Sequence, residues 1–369
     1  MIRVAHVLTR TNIGGPSVML VDLLEGLDRR EFAQTVVRGA PIANEGDYLE
    51  HRRVDAEVFT IGGLKRSLGV LGEVRSLVAL ARMLRRLRPD VVHTHMAKAG
   101  VIGRIAAVIA RVPVRVHTYH GHLLHGYFPA PITAVFTSVE RWLSKVTTHA
   151  LVVGEATRRD LLRARVVSEA HSSTILPAAK PLARHDRHHA RELLGLPADR
   201  VVVGFVGRLT GIKRPDRFTK IAAAIPRATF AVVGNGPLRQ QTMDATASLS
   251  NVMMLDWHDD VSLVLAALDV LVLTSDNEGV PLSLIEAASA GVPVVSTDVG
   301  GVREIVDDGM TGLVVDDESG LVEAVSRLVD DEQLRRAMGS RAPAHIAERF
   351  SMKGYLDAHA SLYGRLVGR

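Results

Sequence analysis

Two glutamates on either side of a proline turn pose the chemical question. In "TSDNEGVPLSLIEAASAGVPVVSTDVGG", residues 274–301, Glu278 follows the apolar run "ALDVLVLT" and Glu286 lies further along the same stretch. If Pro281 opens a helix, Glu286 falls about one and a half turns inside it, while Glu278 stays in the loop at the strand's end. Carboxylates accept hydrogen bonds bidentately and suit vicinal hydroxyls, so each acid can grip a different part of one extended molecule. The backbone of Gly279, Val280, Pro281 and Leu282 at the helix start suits an anion or a sugar oxygen. Paired acids also serve glycosidases, but those enzymes have no use for what lies upstream.

Upstream is "GFVGRLTGIKRPDRF", residues 204–218, in which Arg208 and Lys213 precede a helix that takes Pro215 in its first turn. Two cations beside a helix N-terminus make a diphosphate site, because amides, dipole and side chains all present positive charge. The plainer alternative is two solvated basic residues. The opening loop "TNIGGPSVML" has the same plan: Gly14 and Gly15 permit a tight turn and close approach to a ligand before the helix at Pro16, or simply join a strand to a helix. In "VVGNGPLRQ" the third glycine of a dinucleotide fingerprint falls on Arg239, which counts against a nicotinamide enzyme.

These loops need strands and helices to position them, and the chain supplies both in alternation. Apolar runs at 4–9, 35–38, 91–94, 114–118 and 150–153 read as strands, with helices at 16–27, 68–87, 97–110 and 155–163. Residues 177–200, rich in Pro, Arg and His, read as an interdomain linker. The alternation then restarts, with strands at 201–206, 229–233, 252–255, 270–274, 292–296 and 312–315 and helices at about 214–224, 237–248, 261–267, 281–290, 301–306 and 319–329. The expected fold is α/β: two doubly wound, Rossmann-like domains, residues 1–180 and 181–349, facing a central cleft. The tail, 350–369, reads as one more helix that packs back on the first domain.

Bulk composition fits this. A chain of 369 residues suits two domains, and 47% hydrophobic with 23% charged residues indicates a globular protein. No apolar run is long enough to span a membrane, no signal peptide opens the chain, and zero cysteines exclude disulfides, so a cytoplasmic protein is expected. The net charge of +5 favours an anionic partner. Nucleic acid is not expected, since aromatics are 4% and no basic stretch interleaves them.

With "EGVPLSLIE", "GRLTGIKR", "VVGNGPLR", the "GG" loop and "VHTYHGH" in order along essentially the whole chain, the sequence resembles the retaining GT-B glycosyltransferases of family 4. The resemblance implies an acceptor-side first domain, carrying the terminal helix, and a donor-binding second domain. It puts Arg208 and Lys213, with Gly207, on the diphosphate of a nucleotide-sugar, Glu286 on the ribose, Glu278 on the transferred sugar and His120 on a donor sugar hydroxyl. Trp257 and His258 fall where the family reads the base through backbone. "LPAAKP" departs from the family's Pro-Asn-Gly turn.

The expected reaction is transfer of a hexose from a UDP-sugar with retention, without cofactor, to a lipid-linked saccharide or a small molecule, in envelope or extracellular polysaccharide synthesis. No Asp-x-Asp occurs, so no metal is expected. The alternatives are a UDP-N-acetylglucosamine 2-epimerase and a non-catalytic nucleotide-sugar-binding subunit.

Histidines 93, 95, 117, 120, 122 and 125 invite a metal-site reading, but they lack a supporting acid, and packing or hydrogen bonding is the expected role of most. Arg75, Arg82 and Arg86 share a helical face opposite Leu77, Leu80 and Leu84. That helix either covers the sheet or rests on an anionic membrane. Acceptor contacts are expected around 40–70 and 120–135.

Overall fold

The computed structural model describes residues 1–12, 14–40, 47–52, 54–64, 69–121 and 129–368, the side chains at 51, 70 and 71 excepted. Contacts divide the chain into two compact units, Met1–Ala178 with Met352–Arg369, and Ala179–Ser351. The first runs β1 (Ile2–Leu8), α1 (Gly15–Gly26), β2 (Phe32–Gly39), α2 (Tyr48–Arg52), β3 (Glu57–Ile61), α3 (Val70–Leu87), β4 (Val91–His95), α4 (Ala97–Ile109), β5 (Val114–Tyr119), α5 (Ala130–Ser144), β6 (His149–Val152), α6 (Glu155–Arg163) and β7 (Ser172–Thr174). The second runs α7 (Arg187–Leu193), β8 (Val202–Val206), α8 (Pro215–Ala224), β9 (Thr229–Val233), α9 (Arg239–Thr246), β10 (Val252–Leu255), α10 (Val261–Ala267), β11 (Val270–Leu273), α11 (Leu282–Ser289), β12 (Val294–Thr297), α12 (Val302–Ile305), β13 (Gly312–Val315), α13 (Glu318–Asp330) and α14 (Glu332–Arg349). α15 (Met352–Val367) then returns to the first.

Both sheets are parallel, as β-branched runs buried on two faces dictate. Their strand orders are β3-β2-β1-β4-β5-β6-β7 and β10-β9-β8-β11-β12-β13. Each order reverses once, between β1 and β4 and between β8 and β11, and the crevice beyond the carboxyl ends at such a reversal is where doubly wound sheets bind ligands.

Helices cover the first sheet through apolar faces. α3 and α4 lay Leu80, Leu84, Ile102 and Ala106 against Val7, Val37 and Val92, and α1 buries Leu20 and Leu24 against Leu8 and Val36. Each such leucine contributes about 2 kcal/mol of burial. α3 covers the sheet through Leu80 and Leu84, and its arginine face, Arg75, Arg82 and Arg86, is exposed. α15 packs on the first unit as expected: Tyr355 Oη donates to the Met19 carbonyl at 2.9 Å, and Gly26 leaves room for Leu356, whose Cδ1 would lie 2.5 Å from any Cβ added there.

The linker reading of 177–200 needs correction. Its second part is α7, capped by Asp186 Oδ1 accepting from the His189 amide at 2.9 Å. Arg191 is buried and binds the carbonyls of Ala198, Arg200 and Ala267 and the carboxylate of Asp269 at 2.6 Å. Asp269 also accepts from the Val202 amide at 2.8 Å, tying α7 to the first strand of the second sheet. A buried charge with this many partners is structural, and its basic composition reflects those partners rather than solvent.

Candidate active site

In the second unit, the two strands flanking the reversal deliver the charged residues. The loop after β8 carries Gly207 and Arg208 and closes in a 3-10 turn, Gly211–Lys213, just before α8. Pro215 takes the first position of α8, and Arg214, at φ 49°, makes the sharp entry. The loop after β11 carries Glu278. Lys213 Nζ donates to Glu278 Oε1 at 2.5 Å, and Ser275 Oγ donates to the same oxygen at 2.5 Å. The two loops are stitched by backbone: Asp276 N donates to the Ile212 carbonyl at 2.9 Å, and Thr274 Oγ1 to the carbonyls of Lys213 and Arg214 at 2.7 and 3.0 Å. The lysine and glutamate side chains are 22% and 11% exposed, enough for a ligand to reach a pair that is otherwise enclosed.

The loop Glu278–Pro281 leads into α11. Pro281 is its N-cap rather than its first helical residue, Val280 and Pro281 are buried, and Glu286 is half-buried within the helix. Two glycines hold this loop. Gly301 N donates to the Gly279 carbonyl at 2.6 Å. Gly300 has φ 54°, and a Cβ there would lie 1.9 Å from the Glu278 carbonyl oxygen, so only glycine fits. Likewise Gly207 N donates to the Val233 carbonyl at 3.0 Å, and a Cβ on Gly234 would lie 2.0 Å from the Gly207 oxygen. Trp257 and His258 stand apart from this group, beyond the end of edge strand β10; Trp257 is 43% exposed and its Nε1 donates to Asp259 at 3.0 Å.

In the first unit, the corresponding reversal carries histidines. Gly14 caps α1, its carbonyl accepting from the Ser17 and Val18 amides at 3.0 and 3.1 Å. Among the described residues a Cβ on Gly14 would meet only Asn12 Nδ2 at 3.9 Å, so packing there does not demand the glycine. β1 and β4 carry His6, His93 and His95, and His120 directly follows β5. His6 Nδ1 and His95 Nε2 are 3.3 Å apart, and His95 Nδ1 and His120 Nε2 are 3.1 Å apart. His93 lies 2.6 Å from both Tyr363 Oη of α15 and Thr118 Oγ1. Burial disfavours the imidazolium throughout: His6 is lowered to about 4, His120 to about 3, and His93 and His95 well below the ordinary histidine value.

His6, His93 and His95 place ring nitrogens within 4.8 Å of one another, a spacing that could hold a cation. Each nitrogen is already hydrogen-bonded, however, and no carboxylate joins the set among the described residues, so a metal would have to displace Thr118, Tyr363, Gln34 or a neighbouring ring. His122 and His125 lie outside the described residues.

Two family models match the chain: "Glycosyl transferase 4-like domain" over residues 14–178 and "Glycosyl transferases group 1" over 200–331. The UDP-Gal:alpha-D-GlcNAc-diphosphoundecaprenol alpha-1,3-galactosyltransferase of Escherichia coli is 27% identical over 385 residues, an alignment covering 99% of this chain and 97% of that protein. The D-inositol 3-phosphate glycosyltransferase of Mycobacterium tuberculosis is 31% identical over 310 residues, 76% of this chain and 62% of that protein. The chain belongs to the GT-B glycosyltransferases of the family 4 type.

Solved structures agree on the GT-B fold. Anabaena HepE in complex with UDP superposes with TM-score 0.80 at 22% identity, covering 99% of this chain and 100% of that one. Sucrose-phosphate synthase from Thermosynechococcus elongatus superposes with TM-score 0.87 at 20% identity, covering all of both. As a member of the family that its two domain models match, the chain is a glycosyltransferase acting on nucleotide-sugar donors.

Sequence reading missed several residues of its site. Gly300 and Gly301 stand in the opening stretch, where the double glycine after a strand was the available signal. Thr11, Arg38 and Asp47 were also missed: Thr11 Oγ1 donates to Asp47 Oδ1 at 2.7 Å, and buried Arg38 pairs with the same carboxylate, anchoring the loop that leads to Gly14. His6 and Gln34 gave no signal, since one polar residue in an apolar strand reads as noise.

Proposed function

We propose that this GT-B glycosyltransferase moves a hexose with retention from a UDP-sugar to a lipid-linked saccharide, without metal or cofactor, in envelope or extracellular polysaccharide synthesis. The observation that carries the reading is the Lys213–Glu278 pair at the β8/β11 reversal. A phosphate arriving there offers Lys213 a better anion than Glu278 does, and the released carboxylate turns to sugar hydroxyls. Arg208 holds the same diphosphate and Glu286 the ribose, with the backbone of Gly207 and of Gly279, Val280 and Leu282 lining the donor. In the transition state the bond from the anomeric carbon to the diphosphate oxygen breaks, the acceptor oxygen bonds to that carbon on the same face, and the acceptor's proton goes to the leaving phosphate. Fixed cations stabilise the charge that develops on that phosphate. His120 meets a hydroxyl of the transferred sugar.

The lipid-linked acceptor is favoured by the near-complete alignment with the Escherichia coli galactosyltransferase, whose acceptor is a diphosphoundecaprenol sugar. It also suits α5, which leaves Ile132, Val135, Val139 and Trp142 exposed in one helical stripe. We assign contact with an anionic membrane, on its cytoplasmic face, to this stripe. Trp142→Asp should weaken sedimentation with vesicles carrying anionic phospholipid, and unchanged sedimentation would remove the assignment.

The deciding experiment incubates the purified protein with UDP-, GDP- and ADP-sugars, with and without a polyprenyl-diphosphate sugar, and separates the nucleotides and products. Release of UDP that accelerates with the lipid, giving a product with the donor's anomeric configuration, is the expected result. Inversion would overturn retention, an epimerised donor without UDP release would identify an isomerase, and donor binding without turnover in either condition a binding subunit. Chelator should leave the rate unchanged; a loss restored by Mg²⁺ would overturn metal independence.

A further inference from the structure

The four-membered string Gln34–His6–His95–His120 has a direction, and one end sets it. Gln34 Nε2 donates to the Leu23 carbonyl at 2.9 Å. A carbonyl can only accept, so the amide is fixed with its oxygen toward His6, where Oε1 and His6 Nε2 are 3.1 Å apart. That oxygen requires a proton on His6 Nε2. A neutral imidazole carries one N–H, so His6 Nδ1 is left as an acceptor and the proton of the His6–His95 contact, 3.3 Å long, belongs to His95 Nε2. The same step repeats across the 3.1 Å contact of His95 Nδ1 with His120 Nε2. The string therefore ends with His120 Nδ1 as a bare lone pair, and that buried atom has no hydrogen-bond partner among the described residues.

We propose that Gln34, His6 and His95 are positioning residues that hold His120 in the Nε2-protonated tautomer, so that its Nδ1 recognises a substrate group as a hydrogen-bond donor. The ligand class is a hydroxyl, as opposed to a fluorine, ether or phosphate oxygen that can only accept. The hydroxyl's assignment to a sugar rests on the proposed function above, whereas the direction of the string does not.

The geometry supports the string independently of its purpose. His6 lies on β1 and His95 on β4, adjacent parallel strands in which His6 pairs in register with His93. The two rings lie 28° from parallel with centroids 5.6 Å apart, edge to edge rather than face to face, as a bond between ring nitrogens requires, and the centroids of His95 and His120 are 5.4 Å apart. His93 does not branch the string, because both its nitrogens are committed to Tyr363 and Thr118. Neutrality, which the argument needs, follows from burial: an imidazolium at any of the three would have to be desolvated beside two other rings, and all three stay neutral at physiological pH.

The test reads ring tautomers by two-bond ¹H–¹⁵N spectroscopy of the full chain labelled at histidine, with no substrate present. In the parent, His120 should show a pyridine-like Nδ1 and a protonated Nε2. Gln34→Leu removes the anchor and should shift the His120 Nδ1 resonance toward the protonated position as the string reverses in part of the population. Gln34→Glu keeps an acceptor facing His6 and should leave the parent pattern. A protonated Nδ1 on His120 in the parent would overturn the proposal without any variant having to fold, and so would an unmoved resonance in folded Gln34→Leu. Because no donor is added, this outcome is separate from the turnover assay: the string can fail while transfer stands, and transfer can fail while the string stands.

Discussion

The two units share a plan, a parallel sheet whose strand order reverses beside its first strand, yet they fill that reversal with opposite chemistry. In the second unit β8 and β11 deliver Lys213 and Glu278, full charges 2.5 Å apart and partly open to solvent. In the first, β1 and β4 deliver His6, His93 and His95, which are buried and neutral. The difference teaches what strand-end position alone does not decide. A charge survives where its partner is close and water or a polyanion can share its desolvation. Between strands, a neutral ring whose two nitrogens are both engaged costs far less. The second unit is furnished to meet charge, and the first to read the direction of a hydrogen bond.

The largest way to test this contrast is acid. His6 has its folded value lowered from 6.5 to about 4, and His93, His95, His117, His120 and His359 are shifted the same way. On acidification the unfolded chain therefore binds protons first. Stability is flat above 6.5 and falls as pH drops from there toward 4, by about 3 kcal/mol from His6 alone. Asp216, Asp260, Asp317 and Asp330 in the second unit are lowered carboxylates, whose contribution is lost only below their ordinary value of 3.8. Hydrogen exchange at pH 5 against pH 7.5 should thus show β1, β4 and β5 losing protection while β8 and β11 keep theirs; equal loss in both units would break the comparison.

Next in size is Lys213→Ala. With the cation gone the leaving phosphate loses its fixed counter-charge, and kcat should fall roughly a hundredfold, about 3 kcal/mol, with the exchange pattern of the second unit intact. A variant that turns over near the parent rate would take the diphosphate away from the 3-10 turn.

How far the sequence disclosed this arrangement varies with how each element is buried. The strands 229–233, fully buried, and 252–255 and 312–315, partly buried at the two edges of the sheet, match the structure residue for residue, because an apolar run bounded by turn residues has few other readings. β3 and β7 went unread: one is a mostly exposed edge and the other spans three residues. α5 was missed because its apolar stripe faces outward, and α14 because Pro343 sits inside it. In the site, Lys213 and Glu278 were readable as residue types at strand ends, but their direct pairing was not. The Gln34–His6–His95 string depends on β1 lying between β2 and β4, an order that no local pattern encodes.

Smaller effects separate the two acids. Glu278→Gln keeps a hydrogen-bond acceptor for Lys213 but removes its charge, so transfer should fall about tenfold while UDP affinity holds or rises, Lys213 having lost its competitor. Glu286→Gln should instead weaken UDP binding measured by calorimetry. If both variants lose transfer and affinity in equal proportion, the acids share one contact and the assignment of separate sugar and ribose roles fails.

The smallest expected effect concerns Trp257. Stacking of a base on an aromatic ring is worth about 1–3 kcal/mol by alanine substitution, so removing a tryptophan that carried the pyrimidine would cost about fivefold to a hundredfold in UDP affinity. Trp257 is 43% exposed, spends its indole N–H on Asp259, and follows β10, which two strand positions separate from β8. Trp257→Ala should therefore change the Kd for UDP by less than about threefold, consistent with a base held by backbone alone. A loss of tenfold or more would move the base to the outer edge of the sheet. It would also mean that the second unit reads its ligand by an aromatic surface as well as by charge, narrowing the contrast with the first.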